Sequence, residues 1–301
     1  MMKGKMLKRR PAMFRMLTTG DIVGDIFIML VLLLVMFISV VPLWHVVMSS
    51  LSQGELLLGH KGVVLLPLGE LNFGGYQLIF KNPSVLKSYL NTLLYVVGGT
   101  GLGLIFNVLA GYILSRNTRF KPLMVVFFVI TTMFSGGVVP TYMVVRSLGM
   151  TGTRWAMIIP GCTNAMFILY MMNAYMMIDR SYEEAAAIDG AGHFQIMFQV
   201  LLPQAKGMAM VLAINTAIMK WNSWFEASIY TPTQKELWPL QLWVKQLTAN
   251  TTEFLKSSNP DYNQYLVQYA VIVIATLPLL AAMPFFIKKL EKGIAIGGVK
   301  G

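Results

Sequence analysis

The sequence predicts an all-α, polytopic membrane protein with six transmembrane helices. Hydrophobic residues make up 56% of its 301 residues and charged residues only 12%, and the mean hydropathy is +0.62. Soluble globular domains carry about twice that charged fraction. Six apolar stretches are each long enough for a helix of about 20 residues, the length that crosses a bilayer. No hydrophilic block is long enough to form a second, soluble domain.

The first predicted span follows a basic N-terminal arm, residues 1–22, which carries six Lys and Arg residues. The apolar run at 24–48 exceeds the h-region of a cleavable signal peptide, which is about 7–15 residues long. We therefore expect an uncleaved first helix whose N-terminus lies in the cytoplasm. The membrane-spanning domain is predicted to cover residues 23–287, followed by a cytoplasmic tail at 288–301.

Span two, at residues 89–114, contains Gly99-x-x-x-Gly103, a spacing that lets another helix approach closely. The overlapping stretch Gly98-Gly-Thr-Gly-Leu-Gly103 is glycine-rich like a phosphate-binding loop. It lacks the Gly-Lys-Ser/Thr ending of that motif and lies inside an apolar span. We therefore expect helix packing at these glycines, and we expect this chain by itself to bind no ATP.

Span three begins near Pro122 and is interrupted at Phe134-Ser-Gly-Gly-Val-Val-Pro140. An interruption in a spanning helix is tolerated where it contacts protein or a water-filled cavity, and an ordinary Pro/Gly kink is the alternative. Spans four, five and six are predicted at residues 155–177, 206–230 and 264–287, with a polar segment at 231–262 between the last two.

The distribution of basic residues supports this topology. With the N-terminus inside, six spans place both termini and the loop at 181–203 in the cytoplasm. Fifteen Lys and Arg residues then lie on the cytoplasmic side and eight outside, with Lys220 inside span five. This is the bias that the positive-inside rule describes. The net charge of +11 therefore reflects membrane orientation and does not indicate a nucleic-acid partner.

The loop at 181–203, which we call the elbow, has the composition of an ordered unit. An acidic, alanine-rich run, Tyr182-Glu-Glu-Ala-Ala-Ala-Ile-Asp, is followed by Gly190-Ala-Gly192 and by a second run with apolar residues at helical spacing. Pro203 ends this unit and is suited to the first turn of the next helix. Two helices joined by a glycine turn on a membrane surface indicate a docking device.

The elbow resembles the EAA loop of the permease subunits of ABC importers. Glu184-Ala-Ala is followed by Gly190 and, after nine residues, by Val200-Leu-Leu-Pro203. Val200 stands where the family usually has Ile. The Trp221-Asn222 pair in span five also agrees with the family, and the ending at 293–301 is similar to the tail of carbohydrate-uptake permeases of the maltose type. The resemblance covers nearly the whole chain.

This resemblance implies the fold of a type I ABC importer permease, with a cytoplasmic coupling helix in the elbow. Such a subunit has no catalytic residues. It pairs with a second, homologous permease subunit, two cytoplasmic ATPase subunits and an extracytoplasmic solute-binding protein in the bacterial plasma membrane. ATP and magnesium bind to the ATPase subunits, so no cofactor is implied on this chain. The implied substrate class is carbohydrate.

The resemblance assigns the contact with an ATPase subunit to eight residues of the elbow. Small alanine side chains permit close backbone approach, a glycine permits the sharp turn, and Glu184 offers an acceptor for charge-assisted hydrogen bonds. The alternative is a surface helix that ends in a left-handed cap at Gly190. The eight residues are Glu183, Glu184, Ala185, Ala186, Asp189, Gly190, Leu202 and Pro203.

The C-terminal tail is the second implied contact with the ATPase subunits. In maltose-type permeases the tail reaches between the two ATPase subunits. The alternative is a frayed basic terminus without a partner. The corresponding residues here are Gly297, Gly298, Val299, Lys300 and Gly301.

Lys220 is the one charge well inside a predicted span, about 21 Å along the helix from Lys206 at about 1.5 Å per residue. A Lys at the centre of a span costs about 2.5–3.5 kcal/mol, so we expect it to face a cavity or a carboxylate of a partner. Trp221, Asn222 and Trp224 surround it, and aromatic faces and amides suit sugar rings. We predict that these four residues line a substrate path; a snorkelling Lys with interfacial Trp residues is the alternative.

The substrate is predicted to be an oligosaccharide. The Phe134-Ser-Gly-Gly and Trp221-Asn-Ser-Trp segments resemble permeases for complex oligosaccharides, including uronate-containing ones such as alginate. Lys220 suits an acidic sugar, and neutral oligosaccharides remain open.

Two other classes of membrane protein compete with this interpretation. An ion-coupled secondary transporter needs intramembrane carboxylates, and the spans carry acidic residues only near their ends, at Asp21, Asp25 and Glu226. A non-transporting scaffold has no use for the elbow. The single cysteine, Cys162, excludes a disulfide framework, and three scattered histidines indicate no metal site.

Overall fold

The computed structural model describes residues 19–249 and 264–298 of the chain, with side chains for 22–249 and 265–287. The regular elements in these ranges are helices, as the sequence predicts, and the described ranges contain no strand. Three predicted features lie wholly or partly outside the described residues: the N-terminal arm up to residue 18, residues 250–263, and the last three residues of the tail.

The described residues form fifteen α-helices, one π-helical turn and one 3₁₀ helix. A π-helical turn at Ile196–Leu201 separates α10 from α11, and a short 3₁₀ helix at Lys235–Leu237 precedes α14. The α-helices are α1 (Thr19–Ser50), α2 (Gly54–Gly59), α3 (Gly74–Lys81), α4 (Pro83–Ser115), α5 (Lys121–Met133), α6 (Val138–Ser147), α7 (Trp155–Ile158), α8 (Ala165–Met176), α9 (Ser181–Ile188), α10 (His193–Gln195), α11 (Leu202–Gln204), α12 (Lys206–Trp221), α13 (Trp224–Tyr230), α14 (Leu240–Ala249) and α15 (Gln264–Gly298).

Three of these helices are long and apolar enough to cross a membrane by themselves: Ile22–Ser50 within α1, Pro83–Ser115 (α4) and Tyr265–Ile287 within α15. The described part contains up to five spans if each of two sharply bent helix pairs counts as one span. These pairs are α5 with α6, and α10–α11 with α12. The multi-pass helical architecture is confirmed, and the count of six spans stays a prediction.

Predicted spans four and five are each divided between two helices. Span four is split into α7 and α8, because Pro160 has no N–H to donate and Gly161 adopts a φ of 67°. Asn164 then caps α8, since its side-chain oxygen accepts a 2.9 Å hydrogen bond from the Phe167 N–H. Helix α12 likewise ends at Trp221 before α13 begins. Each of these two predicted spans therefore contains two α-helices.

The predicted interruption of span three is confirmed. Helix α5 ends at Met133, α6 begins at Val138, and the helix axes are bent by 118°. Gly137 in this break has a φ of 81°, which L side chains rarely adopt. The chain therefore turns back here instead of continuing along the axis of α5 with an ordinary kink.

Helix α4 is central to the described part, and α8 and α12 pack along it. Gly99 contacts the side chain of Lys220 on α12, and Gly103 contacts the backbone carbonyl of Cys162 between α7 and α8. Gly111, about two turns further along α4, contacts α8. A side chain at Gly103 has no room. The packing role predicted for Gly99 and Gly103 is confirmed.

Polar side chains near the start of α4 hold the segment that precedes α14. Asn91 donates from Nδ2 to the carbonyl of Glu236 at 2.7 Å. Tyr95 donates from its hydroxyl to the carbonyl of Leu237 at 2.7 Å. These bonds satisfy two carbonyls of the short 3₁₀ helix, which has too few residues to pair them internally. The segment between α13 and α14 is therefore fixed to α4.

Candidate functional site

The first helix of the elbow, α9, ends in a Schellman turn at Gly190. The Gly190 N–H donates to the carbonyl of Ala187 at 3.1 Å, and the Ala191 N–H donates to that of Ala186 at 2.9 Å. These two bonds, together with a φ of 83° at Gly190, define the motif. The sharp turn predicted at Gly190 is confirmed.

The second part of the elbow runs through α10, the π-helical turn and α11. The Gly192 N–H donates to Oε1 of Gln195 at 2.9 Å, which caps the start of α10. The π-helical turn comes shortly before Pro203, which has no N–H for the helical ladder. Pro203 lies within α11, and the chain turns by 83° before α12 begins at Lys206. Pro203 therefore lies in the first turn of a helix, as the sequence predicts, but this helix is the short α11 and not the span α12.

One face of the elbow belongs to the protein core. Ile196, Met197 and Leu201 are buried and join a cluster with side chains of α4, α8 and α12, among them Tyr112 and Tyr175. Protein interiors are close-packed and transmit strain. The elbow is therefore packed directly against three helices of the membrane domain.

Arg116, at the end of α4, ties the elbow to the membrane domain. Its guanidinium donates to Oε1 of Glu183 and lies 4.5 Å from the centre of the Tyr112 ring. The hydroxyl of Tyr112 lies 3.2 Å from Nδ1 of His193. Sequence reasoning misses this role of Arg116. The available signal is a basic residue at the predicted cytoplasmic end of span two together with a pair of glutamates in another predicted cytoplasmic loop, the elbow.

The outer side of the elbow presents an acidic and apolar surface. Glu184, Ala185 and Asp189 are exposed. Ile188 is 86% exposed and Phe194 is 71% exposed, although exposing large apolar side chains to water is unfavourable. This surface suits a protein partner, and Ile188 and Phe194 extend the predicted set. Of the other predicted contact residues, Pro203 is exposed, whereas Ala186 and Leu202 are partly buried.

A cavity of about 360 Å³ lies between the elbow and the ends of α4 and α8. Its lining contains charged groups of both signs, which suits a polar or charged side chain of a partner better than an apolar ligand. The charged lining residues are Arg116, Asp179, Arg180, Glu183 and Glu184.

Among the described side chains, Lys220 faces neither a cavity nor a carboxylate, so the environment predicted for it is wrong. Its side chain is buried, with 5% of the residue exposed. Its Nζ donates to the carbonyls of Met157, at 2.7 Å, and Pro160, at 2.6 Å. These carbonyls lie at the end of α7, where the split in span four leaves them without helical partners. Lys220 therefore joins α12 to the break in span four.

The other three residues predicted to line the substrate path face different surroundings. Trp221 is buried and donates from Nε1 to the carbonyl of Ala275 at 3.2 Å. Trp224 is partly buried, and Nζ of Lys245 lies 3.2 Å from the centre of its ring. Asn222 is exposed. The structure therefore does not bring the predicted path residues together around one cavity.

The implied tail contact is described only in part. Gly297 and Gly298 are the last residues of α15, whereas Val299, Lys300 and Gly301 lie outside the described residues. Among the described side chains, no group of three or more His, Cys, Asp and Glu residues is placed to hold a metal ion.

Sequence comparison relates the chain to membrane components of transport systems. A family model for the "binding-protein-dependent transport system inner membrane component" matches residues 99–296. The protein LplC of Bacillus subtilis (strain 168) is 32% identical over 271 residues, which cover 88% of this chain and 90% of LplC. The polygalacturonan/rhamnogalacturonan transport system permease protein YtcP of the same organism is 32% identical over 277 residues, covering 90% of this chain and 96% of YtcP.

Structural comparison agrees with these relatives. The chain is similar to one chain in the crystal structure of a bacterial ABC transporter involved in the import of the acidic polysaccharide alginate. The TM-score is 0.84 and the sequence identity 27%, and the match covers 91% of this chain and 99% of that chain. The two chains therefore share one fold over nearly their whole length.

Proposed function

Since the chain belongs to the family of binding-protein-dependent transport system inner membrane components, we propose that it forms half of the translocation path of an ATP-driven importer for oligosaccharides. It is a non-catalytic, multi-pass permease subunit of an ABC carbohydrate importer. The observation that carries the proposal is the elbow, which is packed into the core on one side and exposes Glu184, Ile188 and Phe194 on the other.

The elbow is proposed to be the contact with an ATPase subunit. Helix α9 presents Glu184 as an acceptor for charge-assisted hydrogen bonds, and Ala185 leaves room for close backbone approach. The cavity beside Glu183 and Glu184 receives a polar side chain of the ATPase subunit. When ATP binding draws the ATPase subunits together, the elbow moves α4, α8 and α12 as a packed group. Access to the path then alternates between the two sides of the membrane.

The remaining partners follow from the same family membership. Binding-protein-dependent transport requires a solute-binding protein outside the membrane and ATPase subunits that hold ATP and magnesium. We add a second, homologous permease subunit and an orientation with both termini in the cytoplasm, in agreement with the fifteen basic residues on that side. In this arrangement the tail at 297–301 lies at the interface of the ATPase subunits.

The proposed substrate is an acidic oligosaccharide. YtcP is named for the transport of polygalacturonan and rhamnogalacturonan, and the similar solved transporter takes part in the import of alginate, an acidic polysaccharide. Both names support a uronate-containing ligand. Lys220 adds no support, because its ammonium group is bonded to two backbone carbonyls.

Reconstitution in liposomes tests the proposed function. We expect the chain, assembled with its ATPase and permease partners and its binding protein, to take up oligogalacturonate or alginate oligosaccharides only with hydrolysable ATP. Glu184→Lys is expected to abolish uptake and to reduce co-purification of the ATPase subunits, because it reverses the charge at the contact. Glu236→Lys, an exposed charge reversal far along the chain from the elbow, is the matched control and is expected to keep both.

Two outcomes contradict the proposal. Uptake that continues without hydrolysable ATP contradicts the proposal of an ATP-driven importer. Normal uptake together with normal ATPase co-purification in Glu184→Lys contradicts the proposal that the elbow contacts an ATPase subunit. Uptake of neutral oligosaccharides alone corrects the substrate class and leaves the mechanism in place.

A further inference from the structure

The loop between α1 and α3, residues 51–73, exposes a series of large apolar side chains outside the spans. We call it the leucine loop, and it includes the short helix α2. Seven of its large apolar residues are exposed by 49–74%, although exposing such groups to water is unfavourable. These residues are Leu56, Leu58, Val63, Leu65, Leu66, Leu71 and Phe73.

The loop predicted to lie on the same side of the membrane, residues 231–262, has a different surface. Its described part, 231–249, exposes no large apolar side chain. Trp238 is buried there, and the exposed residues include Lys235 and Glu236. A position outside the spans therefore does not by itself explain the exposed apolar residues of the leucine loop.

Hydrogen bonds hold the leucine loop in one conformation. The Gln53 N–H donates to the carbonyl of Leu68 at 2.9 Å, and the Leu68 N–H donates to Oγ of Ser52 at 3.0 Å. The Asn72 N–H donates to the carbonyl of Leu51 at 2.9 Å, which joins the two ends of the loop. Because these bonds pair backbone groups of the loop, its exposed apolar side chains form an ordered surface.

Two side chains near the end of α1 fix the level of the leucine loop relative to the first span. Trp44 donates from Nε1 to the carbonyl of Leu65 at 2.9 Å. Nδ1 of His45 accepts a 2.9 Å hydrogen bond from the Val64 N–H. The middle of the leucine loop therefore lies beside the residues of α1 that bind it.

Trp44 marks the end of the exposed part of α1. Residues 25–40 are exposed, whereas residues 45–50 are partly or fully buried. Trp44 lies about 33 Å along the helix from Ile22 at about 1.5 Å per residue, and the hydrocarbon core of a bilayer is about 30 Å thick. Tryptophan is enriched at membrane–water interfaces. Since Leu65 is bonded to Trp44, the leucine loop lies at the level of the membrane interface.

The exposed apolar surface is continuous from α1 to the leucine loop. Leu43 and Trp44 are each 47% exposed, and Leu65, whose carbonyl accepts from Trp44, is 58% exposed. A helix that is apolar on all sides, as α1 is between residues 26 and 38, is typical of a membrane span. This continuity favours lipid over a solute-binding protein, which approaches through water and contacts surfaces beyond the membrane interface.

We propose that the leucine loop is seated in the membrane interface, with Val63, Leu65 and Leu66 among the acyl chains of the phospholipids. The loop thus anchors the outer end of α1 in addition to the spans. Lys61 is exposed beside this apolar group, and its ammonium group suits the phosphate of a lipid. The proposal goes beyond the transport function, because it requires only that α1 spans the membrane.

Spin-label accessibility in the assembled transporter tests this seating. Cys162→Ala removes the one cysteine of the chain, and the partner subunits are made cysteine-free. Leu66→Cys carries a nitroxide label at the most exposed of the seven apolar residues. Phe37→Cys, on the exposed surface of α1, is the lipid-facing control, and Glu236→Cys in the polar loop is the water-facing control. Collision rates with oxygen, which concentrates in lipid, and with a water-soluble nickel chelate are measured in proteoliposomes.

The ratio of oxygen to nickel collision rates at Leu66→Cys is expected to exceed that at Glu236→Cys by at least about threefold, because an interfacial segment lies about 5–10 Å into the boundary of headgroups and acyl chains. It is expected to stay below the ratio at Phe37→Cys, which lies deeper. Val63→Cys gives a second measurement if Leu66→Cys does not assemble.

Three outcomes overturn the proposal. A ratio equal to that at Glu236→Cys means that the loop faces water. Low collision rates with both probes mean that a partner subunit covers the loop. A ratio equal to that of the water-facing control, followed by loss of both collision rates when the binding protein is added, means that the loop contacts the binding protein. ATP-dependent uptake in the same vesicles tests the importer separately, since neither result depends on the other.

Discussion

At the scale of single residues, Lys220 shows how a cation is accommodated in an apolar segment. Burial of an ammonium group is unfavourable unless hydrogen bonds replace its water. Here the carbonyls of Met157 and Pro160 supply those bonds, and Gly99 leaves room for the aliphatic part of the side chain. The residue whose charge suggests an acidic sugar thus has a structural partner, and its acceptors come from a broken helix.

Lys220→Met is expected to lower the free energy of unfolding by about 1–3 kcal/mol, because two carbonyls lose their donor in a buried position. Thermal unfolding of the purified assembly measures this change. Lys206→Met, an exposed lysine at the start of the same helix, is the matched control and is expected to change stability by less than about 0.5 kcal/mol. If Lys220→Met leaves stability unchanged but alters the sugar dependence of ATPase activity, the structural role is contradicted and Lys220 contacts the substrate.

The Arg116–Glu183 pair is expected to couple more strongly than an exposed ion pair. Its side chains are 21% and 25% exposed, against 53% and 67% for Lys87 and Glu236, whose atoms are 3.7 Å apart. Double-mutant cycles to alanine are expected to give a coupling free energy of about 1–2 kcal/mol for Arg116 and Glu183. The coupling free energy between Lys87 and Glu236 is expected to be below about 0.5 kcal/mol, because water screens that pair. Equal values from thermal unfolding would mean that the pair does not hold the elbow to α4.

At the scale of elements, the elbow is two short helical parts whose relative direction is set by backbone geometry. The turn between the two parts lies at Gly190. In the second part, Pro203 has no N–H for the regular helical hydrogen bonds, and the chain continues through a π-helical turn just before it. The buried side of the second part then fixes the unit to α4, α8 and α12. The proposed coupling role of α9 therefore depends on the geometry of both turns, at Gly190 and before Pro203.

Gly190→Ala is expected to weaken coupling because a φ of 83° costs an L residue about 1–2 kcal/mol. The space around Gly190 is open, so this cost is conformational and not steric. Gly192→Ala is the matched control, since Gly192 has a φ of −74°. Transport-coupled ATPase activity of the assembly is expected to fall in the first variant alone. An equal response of both variants would contradict the role of the turn.

At the scale of the whole molecule, one glycine-bearing helix organises the membrane domain. Close approach at Gly99, Gly103 and Gly111 brings α12, the break in span four and α8 against α4, and small residues at such interfaces are the usual means of packing helices in membranes. The chain shares its fold with the alginate transporter chain over 99% of that chain's length.

Reporter fusions are expected to place residue 301 in the cytoplasm and a site within 231–262 outside, because basic residues are biased toward the termini and the elbow. A reporter active only in the cytoplasm tests the first site, and one active only outside tests the second. A fusion at the elbow after residue 190 is the control for the cytoplasmic side. Reporters at 301 and within 231–262 on the same side would contradict the six-span topology.

Several features were determined by the sequence alone because each depends on local chemistry. Helical class follows from apolar stretches of spanning length, and the turn at Gly190 follows from a residue that tolerates positive φ. The break at Phe134 to Pro140 follows from consecutive glycines and a proline. The packing at Gly99 and Gly103 follows from their spacing, and the family follows from the elbow motif with the matching order of elements.

Other features were decided only by the tertiary structure. Lys220 is 60 residues from its acceptor at Pro160, and Arg116 is 67 residues from Glu183. No local pattern reports which distant group a side chain meets. Spacing along the chain determines which residues share a face, and packing determines what that face contacts.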